Sequence, residues 1–82
     1  MARTFTTREI DGFERDIKQM LKDKDAYELF ERYLGTYYKH ERNVLRLWKQ
    51  SSSEEDRANC LQVLVDGENS VHRKFIEHLM GQ

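Results

Sequence analysis

Apolar residues along this chain recur at steps of three and four, the period of a helix that buries one face. The first run opens with a strong start signal. Thr6 and Glu9 stand in capping-box spacing, and Phe5 and Ile10 stand where a hydrophobic staple belongs. Ile10, Phe13, Ile17, Met20 and Leu21 then share a narrow arc, which predicts helix 1 over about 7–23. Gly12 falls on its outer side and weakens it by about 1 kcal/mol relative to Ala.

The second run is longer. Asp25 and Glu28 form another capping box, so helix 2 is predicted over about 26–50. Leu29, Phe30, Tyr33, Leu34, Tyr37, Val44, Leu45, Leu47 and Trp48 share a wide arc. Such an arc implies contact with two neighbours, or with one neighbour and a second chain. The apolar phase agrees on either side of Gly35, which favours one rod; a break at Gly35 is the alternative. Ser52 and Glu55 make a third capping box, and Glu54, Glu55 and Asp56 suit a positive helix N-terminus. Helix 3 is predicted over about 54–80, carrying Leu61, Leu64, Val71, Phe75, Ile76 and Leu79. The segment 66–70 is poor for helix, so a turn at Gly67 with Ser70 capping a short fourth helix weighs evenly against one unbroken helix. The expected fold is all-α: a small antiparallel three-helix bundle spanning 1–82, or four helices if breaks fall at Gly35 or Gly67.

Composition agrees. The 82 residues include no proline and four glycines, too little turn chemistry for a β protein of this length. Charged residues make up 35%, above the usual quarter, as long exposed helix faces require. The net charge of −1 excludes a global field toward nucleic acid or an anionic membrane, but charge is segregated. Residues 32–49 hold five basic side chains and one acid, and residues 50–68 hold five acids and one base. Cys60 is alone, so no intramolecular disulfide forms and a reducing compartment is favoured. No apolar run approaches a membrane span, and the opening residues lack a signal-peptide core. A cytoplasmic location is the expectation.

The sharpest functional feature is a row of cations. Lys39, Arg42, Arg46 and Lys49 recur at steps of three, four and three, on the side of helix 2 away from Phe30, Tyr37, Val44 and Trp48. The plain reading is a solvated face whose cations complement a helix C-terminus. The functional reading is a surface for an acidic partner, with Tyr38, Lys39, Arg42, Arg46, Trp48 and Lys49 as partner-binding residues. Four cations are few for nucleic acid, which is the second reading; there Tyr38 would stack a base. The crowd of aromatic rings on this helix exceeds what a small bundle readily buries, so self-association, as a homodimer, is a further expectation.

Glu41 is awkward, because it falls among Tyr37, Val44, Leu45 and Trp48. A carboxylate there must be paired or reach the rim. If helix 3 is continuous, Glu68 and His72 also point inward, and Glu41, Glu68 and His72 form a buried polar cluster. As a metal site this set is too sparse and lacks the Glu-x-x-His spacing of carboxylate-bridged bundles. A calcium loop drawn from Asp66, Glu68, Ser70 and Glu77 has Val71 where the turn glycine belongs. Nor is there a phosphate-binding glycine loop, a CxxC pair or a histidine tied by spacing to Cys60, so no cofactor and no catalysis are expected.

Met20, Leu21, Ala26, Phe30, Leu34, Asn43 and Trp48 resemble the third and fourth helices of regulators of G-protein signalling over about thirty residues. The intervals Leu34–Asn43 and Asn43–Trp48 each run one residue long for that pattern, and the chain is short for that domain's full helical set. No residue role carries over. The expected function is that of a small interaction module or adaptor that binds an acidic or amphipathic protein partner through helix 2.

Overall fold

A computed structural model describes residues 4–67 and 70–81. Every regular element among them is helical, as the periodicity predicts. The three-rod architecture is not what forms. Six helices follow one another: α1 (Thr7–Arg15), α2 (Ile17–Lys22), α3 (Lys24–Tyr37), α4 (Lys39–Gln50), α5 (Glu54–Val65) and α6 (Val71–Met80). Length gives the physical reason. At 1.5 Å per residue, rods over 26–50 and 54–80 would run to roughly 37 and 40 Å. The whole body measures 33 × 28 × 22 Å. Straight rods would leave their ends without a core, and both predicted helices are broken instead.

Each break is chemically marked. Asp16 sits in extended conformation (φ −147°, ψ 107°) and its carboxylate accepts from the Lys18 N–H, ending α1 and capping α2. Asp23 does the same for α3 through the N–H groups of Asp25 and Ala26, two residues before the expected Asp25 cap. The break in predicted helix 2 falls at Tyr38 (φ −141°, ψ 69°), not at Gly35. Gly35 remains inside α3, because α4 folds back over it: a Cβ there would stand 3.1 Å from Arg42 Nη1. Ser53, not Ser52, caps α5 by accepting from the Asp56 N–H. Predicted helix 3 breaks after Val65, with Gly67 at φ 83° and Ser70 capping α6 through the Arg73 N–H. Only the first capping box forms as drawn, with Thr6 and Glu9 exchanging hydrogen bonds of 3.0 and 3.1 Å.

The core lies where these helices converge. Met20, Phe30, Leu34, Leu45, Leu64 and Phe75 are its largest fully buried side chains. The Phe30 and Phe75 rings meet at 5.0 Å between centroids, joining α3 to α6. Phe5 packs edge-on against Phe13 at 5.4 Å and closes the α1 end. The predicted apolar arc of α1 and α2 is buried throughout. The wide arc of predicted helix 2 is not: Tyr37 is 64% exposed and Leu47 59%. No helix among the described residues is long and apolar enough to cross a membrane.

Candidate functional site

The fold-back at Tyr38 decides what the cation row faces. α4 turns its row toward α3, and the partners run in antiparallel order. Arg42 lies against Gly35, Arg46 Nη2 is 3.9 Å from Glu31 Oε1, and Lys49 Nζ stands 4.6 Å from the Tyr27 ring centroid. Tyr27, Glu31 and Gly35 are spaced four apart, so they line one side of α3. The row is therefore the rim of a seam between two helices, rather than a free outer face. The Arg46–Glu31 pair is half-exposed and long, so it contributes little to stability. Burial, and then the Glu31 carboxylate, push the Tyr27 phenol above its ordinary range.

Two of the four cations keep binding capacity. Lys39 is exposed at the start of α4. Arg42 is half-buried, and its Nε is the one fully buried side-chain nitrogen or oxygen among the described residues that lacks a hydrogen-bond partner. A buried donor left unmade costs about 1–3 kcal/mol, and Nε lies beneath the surface, out of reach of an outside acceptor. Beside it opens a cleft of about 390 Å³ lined by Glu28, Glu31, Arg32, Gly35 and Arg42. Arg32 and Arg42 flank this cleft from α3 and α4.

The other expected binding residues go elsewhere. Trp48 lies on the opposite flank of α4, roughly 140° from the middle of the row at about 100° per residue. It is half-buried, with the Arg57 guanidinium 4.6 Å over its ring. Tyr38 is occupied too. Its hydroxyl accepts from Lys74 Nζ at 3.1 Å, and its ring lies 6.0 Å from Tyr33. That hydroxyl holds the half-buried Lys74 ammonium above its ordinary range. So Arg42, Arg46 and Lys49 come together, Lys39 and Tyr38 stand at the hinge, and Trp48 is separated from them.

The expected polar cluster does not assemble from the described residues. Because predicted helix 3 breaks at 66–70, His72 turns toward α1, where its Nε2 donates to the Phe13 carbonyl at 2.8 Å. Burial holds the imidazole below its ordinary pKa, against the opposing pull of that carbonyl and of Glu14 and Asp16. Glu41 is half-buried on α4 and makes no ion pair or hydrogen bond with His72. Glu68 lies outside the described residues. Among the described residues, no three His, Cys, Asp or Glu side chains gather as metal ligands would.

No protein-family profile matches the chain, and comparisons with curated proteins and with solved structures give no match. Function is read from the site alone. The seam's α3 side, Tyr27, Glu31, Gly35 and Arg32, is absent from the residues expected from sequence. The signal was present in outline: folding the chain at 38 sets 27 opposite 49, 31 opposite 46 and 35 opposite 42.

Proposed function

We propose that this chain is a small helical interaction module that captures an acidic segment of a partner protein along the α3–α4 seam. Arg42 carries the reading. Its guanidinium is held over Gly35 beside a cleft that Arg32 shares. A guanidinium takes a carboxylate through two parallel N–H donors, and the pair is stronger where water is partly excluded. Arg42 and Arg32 would take the partner's carboxylates. Lys39 would steer the approach, while Glu31 holds Arg46 and the Tyr27 ring supports Lys49. The reading is of binding, not catalysis. Nucleic acid ranks second, because the ring expected to stack a base, Tyr38, is engaged by Lys74 and Tyr33.

The test is a titration of a labelled glutamate-rich peptide, with a single-stranded oligonucleotide in parallel, followed by fluorescence anisotropy. Arg42→Ala with Arg46→Ala should weaken peptide capture by roughly tenfold or more, about 1.4 kcal/mol, with the helical circular dichroism unchanged. Undiminished capture by the double variant would reduce the row to solvation. Oligonucleotide binding that falls steeply with salt, with no peptide binding, would move the assignment to the second reading.

A further inference from the structure

A cleft of about 470 Å³ opens between α2, α4 and α5, on the Trp48 side of α4 and apart from the cation seam. Its wall is apolar, formed by the Trp48 indole, Ala58 and Leu61. Its rim is cationic. Lys18 and Lys22 stand one turn apart on α2, both exposed, and the half-buried Arg57 reaches in from α5. The Arg57 guanidinium lies 4.6 Å over the Trp48 ring, which holds its plane and leaves its edge of N–H donors open to an anion.

The charges that line this cleft do not cancel. Glu54 is its carboxylate, so three cations and one acid leave a net charge of +2. Glu54 also stands in the first turn of α5, whose positive end offsets part of its charge. The neighbouring acids are turned or engaged elsewhere. At about 100° per residue, Glu55 and Asp56 lie roughly 110° and 150° around α5 from the lining side. Asp56 lines a different cleft, between α4 and α5. The Asp16 carboxylate accepts from the Lys18 N–H, and the Asp23 carboxylate from the N–H groups of Asp25 and Ala26, so each faces the positive end of a helix. Lys49, next to Trp48 in the chain, is turned to the Tyr27 ring.

We infer from this geometry that the cleft binds a nucleoside monophosphate. A phosphate monoester carries about −1.5 to −2 charges near neutral pH and so balances the rim, where a carboxylate would leave half of it unmet. Arg57 would take two phosphate oxygens through parallel N–H donors, and Lys18 and Lys22 would close on the phosphate as point charges. The base would lie on the apolar wall beside the Trp48–Arg57 stack, where contact with a flat ring needs no particular sequence. Glu54 accepts hydrogen bonds and donates none, so it suits a ligand with hydroxyl or amino donors, as a nucleoside has and a plain aromatic ring has not. The volume falls within the range of about 300–1,000 Å³ usual for small-molecule sites. The site uses no residue of the α3–α4 seam, so it stands or falls separately from the proposed function.

Trp48 is the chain's one tryptophan, so its emission reads this cleft directly. Titrating the full chain with adenosine monophosphate should change that emission saturably, and adenosine without the phosphate should bind roughly tenfold more weakly or worse. Lys18→Ala with Lys22→Ala should raise the dissociation constant of the monophosphate by roughly tenfold or more. Both lysines are exposed, so the helical circular dichroism should be retained. Lys24→Ala, a cation outside the cleft, should leave binding unchanged. Adenosine monophosphate should also bind more tightly than phenyl phosphate. Glu54→Ala should narrow that ratio by roughly threefold or more, since both ligands carry the same phosphate and only the nucleoside donates to the carboxylate. An emission that does not respond to millimolar adenosine monophosphate overturns the inference. So does binding indifferent to Lys18 and Lys22, or weakened as much by Lys24→Ala. Phenyl phosphate that binds as tightly as adenosine monophosphate overturns the choice of a nucleotide.

Discussion

Gly35→Ala isolates the contact on which the seam depends. In a helix interior, alanine is about 1 kcal/mol better than glycine. Gly35 keeps a helical backbone, since the one positive φ among the described residues belongs to Gly67, so the full gain is available in principle. Against it stands Arg42, with Nη1 at 3.1 Å and Cδ at 3.2 Å from the added methyl. Ordinary contact is about 3.5–4.0 Å, so the Arg42 side chain must lift by a few tenths of an ångström. It is long and flexible, and each atom pair is worth about 0.1–0.2 kcal/mol, so the loss is a few tenths. The net expectation is a stabilisation near 0.5 kcal/mol, rising to about 1 kcal/mol in an Arg42→Ala background where nothing obstructs the methyl. In a domain of this size, that corresponds to a thermal midpoint raised by roughly 2–4 °C in the first case and 4–8 °C in the second. Thermal and urea unfolding, followed by circular dichroism for all four members of the cycle, measures it. Equal effects of Gly35→Ala in both backgrounds would show that Arg42 does not rest on Gly35. Destabilisation by 1 kcal/mol or more in the wild type would show that Arg42 is clamped and cannot lift.

Two further outcomes follow from the fold. His72 is held below its ordinary pKa of 6.5, so between its folded value and 6.5 the unfolded chain binds more protons than the folded one. Its contribution is whole above about 6.5 and is lost as pH falls through that window; His72→Gln, which keeps an N–H donor but does not titrate, should flatten that part of the stability–pH curve measured by thermal unfolding. Gly67→Ala should destabilise by about 1–2 kcal/mol through backbone strain at φ 83° alone, since a Cβ there meets nothing within 4 Å, and urea denaturation should show the loss without a change in m.

The helical class, the core face of α1 and α2 and the cation row were legible in the sequence, because each is a property of period. The breaks at Asp16 and Tyr38 were not, because they preserve phase; the one at Gly67, with Ser70 capping the next helix, was one of two even readings. Ile17 continues the arc of Ile10 and Phe13 across Asp16, and Leu45 continues that of Leu34 across Tyr38. A fold-back that buries the same side of both arms leaves no mark in a helical pattern. Gly35 misled for a related reason: glycine signals either a turn or a close approach, and here the demand is for approach by Arg42. The polar cluster failed because it required an unbroken third helix, and Ser70 instead starts α6 with His72 turned to α1. A wide apolar arc also states which residues are greasy, not which are covered, so Leu47 and Tyr37 were placed inside when they lie outside.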